Sequence, residues 1–278
     1  MKIQPGDVVL LTGASGGLGV HLVRAFLQQK ARLFLAAFPG SDLPALRGQI
    51  EALGGEVAEL VGDLRDASER EKLVAAALER FGRIDLLVNN AGMEYTAFYH
   101  ELTAEQITNI IAVNLTAPMM LTRLVLPGML AQKRGHIINI SSLAGKAGPA
   151  FQEPYAATKA ALVGFTQSLR STYRPLGVSA SVIVPGFVEA GIYARLKART
   201  GISAPALLGV SQPEAVVRAV LRATEKDAPE LIVNPTPIRP ILAFNALFPR
   251  LGEWLSGRIG ADNFFRRAVE KDRANQGK

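Results

Sequence analysis

The chain has 278 residues, 49% of them hydrophobic and none of them cysteine, so it can bury a sizeable core but cannot form disulfides, cysteine-zinc sites or a thiolate nucleophile. The formal net charge is +7, and residues 238–278 contribute +4 of it, from eight Lys/Arg against four Asp/Glu. The sequence shows no basic stripe with base-stacking aromatics, so we expect no nucleic-acid partner. The histidines His21, His100 and His136 are scattered singly, and we therefore predict no metal site.

Strand and helix patterns alternate through the first third of the chain. Apolar runs predict strands at 7–11, 32–37, 56–61 and 84–89, and helical periodicity predicts helices at 17–29, 42–53 and 67–81. The last of these strands is continuously apolar, which is typical of a parallel strand covered on both faces. The alternation predicts one α/β domain.

Longer helices follow in the middle of the chain. One is predicted over 104–132, with Thr103 as its cap and an interruption before Pro118, and another over 154–174. Further strands are predicted at 136–141, 178–184 and 230–233. Between the last two strands, 187–212 lacks strong periodicity and is interpreted as a mobile lid over a pocket, and Pro213 then opens a helix.

The C-terminal extension, 236–278, is interpreted separately from the catalytic domain, 1–235. We expect no segment of the chain to span a membrane, because prolines and Arg239 interrupt the best candidate, the apolar run 231–248. No apolar stretch precedes the first strand, so we expect a cytoplasmic protein. Two interpretations of the extension stay open. It packs on the core or on a neighbouring subunit and helps to close the pocket, or it rests as an amphipathic segment on an anionic membrane surface.

A glycine-rich turn, Thr12-Gly-Ala-Ser-Gly-Gly-Leu-Gly19, joins the first predicted strand to the first predicted helix. Glycines at such a turn let the backbone approach a pyrophosphate, and the helix N-terminus offers N–H groups and a favourable dipole. The same glycines could serve only to pack the helix against the strand. Their position directly after the strand favours a dinucleotide site.

Tyr155 and Lys159 are four residues apart in a predicted helix, so their side chains share one face. A neighbouring ammonium favours the ionised phenol, and we predict that Lys159 lowers the pKa of Tyr155 and makes it a general acid–base. The alternative is an ordinary amphipathic pair with a solvated lysine. The small residues Ala156, Ala157, Ala160 and Ala161, which permit close packing, argue against that alternative.

These motifs occur together with Asn89-Asn-Ala-Gly92, Ser142 and Pro185-Gly186, and in this order they resemble the short-chain dehydrogenase/reductase family over about residues 5–235. The resemblance implies a single Rossmann-type domain with a doubly wound parallel sheet that binds NAD(H) or NADP(H). It also implies a homodimer or homotetramer. The cofactor-binding residues that it implies are Gly13, Ser15, Gly17, Leu18, Gly19, Asp63, Leu64, Asn90, Ala91, Gly92, Tyr155, Lys159, Pro185, Gly186 and Val188.

Some of these assignments have ordinary alternatives. Asp63 could instead simply cap a turn after the third strand, and Gly92 could instead simply relieve crowding of the backbone. The second strand ends in Ala36-Ala37-Phe38, without the acidic residue that holds an NAD ribose, while Gly16 stands where some relatives carry a cation. We favour NADP(H) over NAD(H), with Ser15 and Ser41 as phosphate contacts.

The catalytic set implied by the resemblance is Asn114, Ser142, Tyr155 and Lys159. Ser142 orients the substrate oxygen, with Ser141 as the rival serine, and Asn114 holds a water, although it could simply bend its helix. Ala190 replaces a threonine that often contacts the carboxamide of the nicotinamide. The implied reaction is hydride transfer between nicotinamide and a carbonyl or alcohol group of a small molecule.

The predicted pocket wall is apolar and suits a hydrophobic substrate. It combines 93–99, 143–151, Phe187, Ile192 and Tyr193. The alternative from another functional class is a catalytically idle dinucleotide-sensing or scaffold protein on the same fold.

Overall fold

The structure is a computed structural model that describes residues 1–276, with the side chains of 255–259, 261 and 276 outside the description. Within that part of the chain the strands are β1 (Val8–Thr12), β2 (Arg32–Ala37), β3 (Val57–Val61), β4 (Leu86–Asn89), β5 (Gly135–Ile140), β6 (Val178–Pro185) and β7 (Glu230–Val233). They form one parallel sheet in the order β3-β2-β1-β4-β5-β6-β7. The chain order reverses between β1 and β4, which opens a crevice at their carboxyl ends.

Helices cover both faces of this sheet. They are α1 (Gly17–Gln28), α2 (Leu43–Ala52), α3 (Ala67–Phe81), α4 (Ala104–Ile111), α5 (Ala117–Ala131), α6 (Ala144–Ala147), α7 (Glu153–Tyr173), α8 (Gly191–Thr200) and α9 (Pro213–Lys226). On β1, Val9 and Leu11 pack against α1, α2 and α9, while Val8 and Leu10 pack against α3, α5 and α7. The doubly wound α/β prediction is therefore confirmed, and the covering of both faces explains why the strands are apolar throughout.

Most predicted element boundaries agree with the structure to within two residues. Thr103 caps α4 as predicted, because its hydroxyl accepts the Gln106 amide N–H while the Gln106 side chain accepts the Thr103 N–H. Pro213 opens α9. At the start of α3 the Asp66 carboxylate accepts the Ser68 amide N–H at 2.8 Å, which caps that helix as well.

The predicted interruption before Pro118 is wrong. The helix continues from α4 through a π-helical turn, Ala112–Thr116, into α5, so the departure from α-helical geometry directly before Pro118 is a local π-helical turn and not a break. This continuous helix, Ala104–Ala131, is long and apolar enough to cross a membrane, contrary to our expectation that no segment would be. Length and composition are weak evidence, and Leu121 and Met129 are fully buried in the core.

The segment 187–212, interpreted as a lid over a pocket, contains α8, a regular helix that its weak periodicity did not indicate. Tyr193, Leu196 and Thr200 form the buried side of that helix. The backbone of Glu189 donates to the Ser211 carbonyl at 2.9 Å, and Ser211 donates to the Phe187 carbonyl at 2.8 Å. The two ends of the segment are thereby tied together.

The C-terminal extension forms α10 (Arg239–Leu247), α11 (Pro249–Ile259) and α12 (Ala261–Gln276), and residues 277–278 of the predicted extension lie outside the described part. Phe264 and Phe265 of α12 pack against Phe187 and Tyr193. An ion pair between Arg199 and Asp272, at 2.7 Å, joins α8 to α12. The last helix thus closes one side of the crevice.

Candidate active site

A cavity of about 220 Å³ lies in the crevice at the carboxyl ends of β1, β4, β5 and β6. Most of the site residues predicted from the sequence line it, namely Gly13, Gly17, Leu18, Gly19, Asn90, Ala91, Gly92, Ser142, Tyr155, Lys159, Pro185, Gly186 and Val188. Ser15, Asp63, Leu64 and Asn114 are not among the described residues that line it. The sequence motifs, although far apart along the chain, converge on one site.

At Gly13 and Gly19 the glycine-rich turn leaves no room for a side chain. Gly13 has φ +65°, and a Cβ there would lie 2.9 Å from the Ala91 Cα; a Cβ on Gly19 would lie 2.1 Å from the Gly13 carbonyl oxygen. Gly16 precedes α1 and has no side chain to cap it, so the first turn of the helix presents its N–H groups and dipole to the cavity. This arrangement fits the pyrophosphate of a dinucleotide.

Thr12, which the sequence analysis did not single out, fastens this turn to the loop after β4. Its hydroxyl accepts the amide N–H groups of Asn90 and Ala91, each at 3.0 Å, and donates to the Val88 carbonyl at 3.3 Å. The Asn90 side chain donates to the Thr12 and Gly13 carbonyls at 3.0 and 3.1 Å. Asn90 therefore holds the turn in place through its amide. The sequence signal for Thr12 was its place as the first residue of the glycine-rich turn, directly before Gly13.

Ser142 follows β5, and α7 carries Tyr155 and Lys159 beside it. The Ser142 hydroxyl hydrogen-bonds the Tyr155 hydroxyl and accepts the Ala144 amide N–H at 3.1 Å. The rival serine, Ser141, donates its hydroxyl to the Lys159 carbonyl at 2.7 Å. The Ser141 hydroxyl is therefore engaged with the backbone of α7, and Ser142 is the serine that contacts the Tyr155 hydroxyl.

Burial dominates the ionisation of this pair. Burial raises the pKa of Tyr155 to about 12, opposed by the hydrogen bond from Ser142 and reinforced by the charge of Glu94. Burial lowers the pKa of Lys159 to about 8. The ammonium lies 5.6 Å from the centre of the Tyr155 ring and donates to the Ile140 carbonyl at 2.9 Å. The predicted lowering of the phenol pKa by Lys159 is thus wrong for this arrangement, in which burial raises the pKa of Tyr155.

Asn114 lies fully buried in the π-helical turn, behind the cavity. Its side-chain oxygen accepts the Met93 amide N–H at 2.9 Å, and its side-chain nitrogen donates to the Met93 carbonyl at 2.8 Å and to the Thr158 hydroxyl at 3.3 Å. A Cβ built on Gly92 would be 3.5 Å from the Asn114 oxygen and 3.6 Å from the Lys159 nitrogen. Asn114 therefore connects the π-helical turn to the loop at Gly92 and Met93, which lies next to Lys159.

The residues after β2 and β3 meet outside this cavity. Asp63 forms a two-pronged ion pair with Arg65, which holds the pKa of Asp63 below its usual range. The Arg65 guanidinium also lies over the exposed Phe38 ring, 5.7 Å from its centre. Ser41 donates its amide N–H to the Phe38 carbonyl at 3.2 Å, and its buried hydroxyl has no partner among the described residues. The sequence analysis did not single out Arg65, because it follows β3 and reaches Phe38, at the end of β2, only in the folded chain.

A second cavity of about 620 Å³ adjoins the first and shares Ser142, Gln152, Gly186, Phe187 and Phe265 with it. Its walls are largely apolar and come mainly from the segment after β5 and from α10, while Leu208, Asn234, Ile238, Pro249, Glu253 and Asp262 complete the lining. The residues that line it from these two segments are Leu143, Ala144, Lys146, Ala147, Gly148, Pro149, Ala150, Ile241, Leu242, Asn245 and Ala246. Gln152 and Phe265 are site residues that the sequence analysis missed, because only the packing of α12 and of the segment before α7 brings them there.

The predicted wall 93–99 is wrong, because none of its residues lines either cavity. The loop is held by other contacts. The carboxylate of Glu94 accepts hydrogen bonds from the Thr96 hydroxyl and the Gln152 amide, and Phe98 packs edge-on against Phe151 with ring centres 5.1 Å apart.

The histidines have separate surroundings. His136 is buried and hydrogen-bonds Ser181 at 2.9 Å, and burial lowers its pKa to about 3; His21 faces Glu214 at 3.0 Å. His100 lies 3.8 Å from Glu101. Within residues 1–276, no group of three His, Cys, Asp or Glu side chains is placed to hold a metal ion.

Comparison with known proteins finds a matching family model and similar chains. The family model described as short chain dehydrogenase matches residues 7–200. The chain is similar to the ketoacyl reductase HetN of Nostoc sp., with 40% identity over 238 residues, 86% of this chain and 82% of that protein.

Two solved structures extend the comparison. A metagenomic short-chain oxidoreductase in complex with NADP has a TM-score of 0.71 and 34% identity, covering 84% of this chain and 100% of that chain. A short-chain dehydrogenase/reductase from Burkholderia phymatum in complex with NAD has a TM-score of 0.80 and 26% identity, covering 90% of this chain and 96% of that chain. Both kinds of dinucleotide thus occur in similar folds.

Proposed function

Since the chain belongs to the short-chain dehydrogenase/reductase family and is an oxidoreductase of the class that acts on carbonyl and alcohol groups, we propose that it reduces a hydrophobic ketone of the ketoacyl type with NADPH. The observation that carries the proposal is the pair of hydroxyls, Ser142 and Tyr155, next to a glycine-lined cavity and an apolar one. The named relative is a reductase, which gives no support to an idle sensor or scaffold.

The proton chemistry follows from the ionisation of Tyr155. A bound nicotinamide nucleotide supplies the hydride to the carbonyl carbon. Ser142 donates a hydrogen bond that orients the carbonyl oxygen, and the Tyr155 hydroxyl transfers its proton to that oxygen. With a pKa of about 12, Tyr155 is protonated at neutral pH, so it is ready to act as the acid. The cationic Lys159 stabilises the phenolate that remains.

The remaining cofactor residues are assigned by position. The first turn of α1 would hold the pyrophosphate, and the segment 185–188 would pass the nicotinamide carboxamide. A Cβ on Gly17 would lie 2.4 Å from the Gly191 nitrogen, so the start of α8 lies directly over the start of α1. Ala190 offers no hydroxyl there, and losing one neutral hydrogen bond costs about 0.5–1.5 kcal/mol.

The preference for NADP(H) over NAD(H) rests on Arg65 and Ser41. Both contact Phe38 at the end of β2, where an acidic residue would repel a 2′-phosphate, and the Ser41 hydroxyl is buried without a partner among residues 1–276. A guanidinium suits a phosphate because it offers several N–H donors in one plane. Asp63 competes for the same guanidinium, so it would have to share Arg65 with the phosphate.

We expect Arg65→Ala to weaken NADPH binding roughly 10- to 100-fold, the equivalent of one hydrogen bond to a charged group, and to leave NADH binding nearly unchanged. Titration of each reduced nucleotide by its fluorescence measures this. Because the single change frees Asp63 to repel the phosphate, Arg65→Ala combined with Asp63→Asn separates the two effects. Arg47→Ala, which removes an exposed ion pair on α2, is the control. Equal losses for both nucleotides would contradict the assignment.

The substrate class can be tested with a panel of ketones, aldehydes and 3-ketoacyl thioesters assayed with NADPH and NADH in parallel. The apolar cavity of about 620 Å³ predicts that kcat/KM rises with the length of the apolar chain. We expect NADPH to support the faster reaction. A preference for short, polar carbonyl compounds would contradict the proposed substrate class without affecting the assignment of Tyr155.

We also propose a cytoplasmic homodimer or homotetramer. Apolar side chains stay exposed on the outer face of α4 and α5 in the single chain, among them Ile111, Met119 and Met120. Helices before and after β5 are the expected pairing surface, and covering these side chains by a second copy would remove them from water. Light scattering measures the oligomer size.

A further inference from the structure

An exposed apolar surface covers the outside of the helical hairpin formed by α10 and α11. Leu247, Phe248, Leu251 and Trp254 are 73%, 51%, 56% and 58% exposed, and we call these four side chains the hairpin face. None of the residues of α10 is buried. Large apolar side chains scattered singly need no explanation, but four of them within eight positions of one hairpin form a patch.

The two helices of the hairpin pack closely against each other. A Cβ on Gly252 would lie 2.9 Å from the Cα of Asn245, so the two helices touch backbone to backbone. On the opposite side of α10, Ile241 and Leu242 line the second cavity. The hairpin is therefore a thin wall between an apolar cavity and the surroundings of the protein.

The charge around the hairpin face is positive. Arg239 and Arg250 are exposed on the two helices, against one acidic residue, Glu253. Residues 238–278 as a whole carry eight Lys/Arg and four Asp/Glu, a net charge of +4. A second copy of the chain would bring the same excess of positive charge against this surface. An anionic lipid surface supplies both an apolar interior for the side chains and the opposite charge for the arginines.

We propose that the hairpin face docks on an anionic lipid bilayer, with Leu247, Phe248, Leu251 and Trp254 inserted at the boundary between headgroups and acyl chains. Docking places the wall of the second cavity against the lipid. An apolar substrate dissolved in the bilayer would then have a short path to Ser142. That path rests on the proposed function, whereas docking itself does not.

Trp254 makes the proposal directly measurable, because it is the one tryptophan of the chain. We expect its emission to shift to the blue on adding vesicles of phosphatidylcholine with phosphatidylglycerol, and to be quenched when the lipids carry bromine on their acyl chains. Vesicles of phosphatidylcholine alone should bind more weakly, and added salt should weaken binding to the anionic vesicles. An unchanged Trp254 emission with anionic vesicles overturns the proposal.

Flotation of variants identifies the surface. Leu251→Glu should reduce co-flotation with the anionic vesicles about tenfold or more, because the burial of a leucine is replaced by the insertion of a charge. Leu53→Glu, at a leucine that is 74% exposed between α2 and the edge strand β3, should float as the unchanged protein does. Circular dichroism checks that both variants fold. Equal flotation of Leu251→Glu and the unchanged protein overturns the proposal.

A lipid-free measurement separates docking on a membrane from self-association. Light scattering should give the same oligomer size for the unchanged protein and for Leu251→Glu. If Leu251→Glu dissociates the oligomer instead, the hairpin face is an interface between copies and the proposal is wrong.

Discussion

Tyr155→Phe is expected to lower kcat by about 10²- to 10⁴-fold while nucleotide binding is retained, because the substitution removes the proton donor and keeps the ring. The phenol is buried, hydrogen-bonded to Ser142 and adjacent to Lys159. No other described hydroxyl in the cavity meets Ser142 in this way. Steady-state kinetics with a ketone substrate measures the loss, and fluorescence titration with NADPH measures the binding.

Tyr173→Phe is the matched control for this change. Tyr173 is the last residue of the same helix, where it packs against the core on the other face of the sheet from α1. Its substitution should leave kcat unchanged. If Tyr155→Phe also leaves kcat unchanged, the proton comes from another group. If it abolishes nucleotide binding, the phenol has a role in the cavity other than the one assigned to it.

Lys159→Met is expected to lower kcat by about 10²- to 10³-fold, because it removes the preorganised positive charge beside the developing phenolate. Burial lowers the pKa of Lys159 to about 8, so the ammonium is present below that pH and is lost above it. The rate of ketone reduction by the unchanged protein should therefore fall as the pH rises through about 8. In Lys159→Met, which has no ammonium to lose, this fall should be absent.

The pH profile distinguishes a charge effect from a packing effect. Lys159→Arg keeps the charge at all accessible pH values, so its rate should stay flat where that of the unchanged protein falls. Lys72→Met, on the exposed side of α3, should keep the profile of the unchanged protein. A fall near pH 8 that persists in Lys159→Met would mean that another group titrates there.

The sheet and most of the site were predictable because their causes are local. Val8 to Leu11 are apolar at every position since both faces of β1 are covered, and that pattern is visible in the sequence. Gly13 and Gly19 are required by backbone contacts within their own turn and with the loop after β4. The spacing of Tyr155 and Lys159 sets their shared face by helix geometry alone.

The errors arise where distant segments decide the outcome. Arg65 reaches Phe38 from the loop after another strand, so a search along β2 could not find it. Phe265 enters the site only because α12 folds back over α8. The ionisation of Tyr155 depends on how many atoms surround it, and helix periodicity says nothing of that burial. An interruption was expected before Pro118, whereas the structure has a π-helical turn there, Ala112–Thr116, which contains Asn114.

Transfer of a deuterium label tests the central claim most directly, namely that the cavity holds a nicotinamide nucleotide and a carbonyl substrate side by side. The protein is given a ketone substrate from the panel and NADPH that carries deuterium at C4 of the nicotinamide. Two forms of NADPH are used in separate reactions, one labelled on each face of the ring. Mass spectrometry of the alcohol should find one deuterium on the carbinol carbon from one of the two labelled forms. An alcohol that carries no deuterium from either form would contradict direct hydride transfer in this cavity.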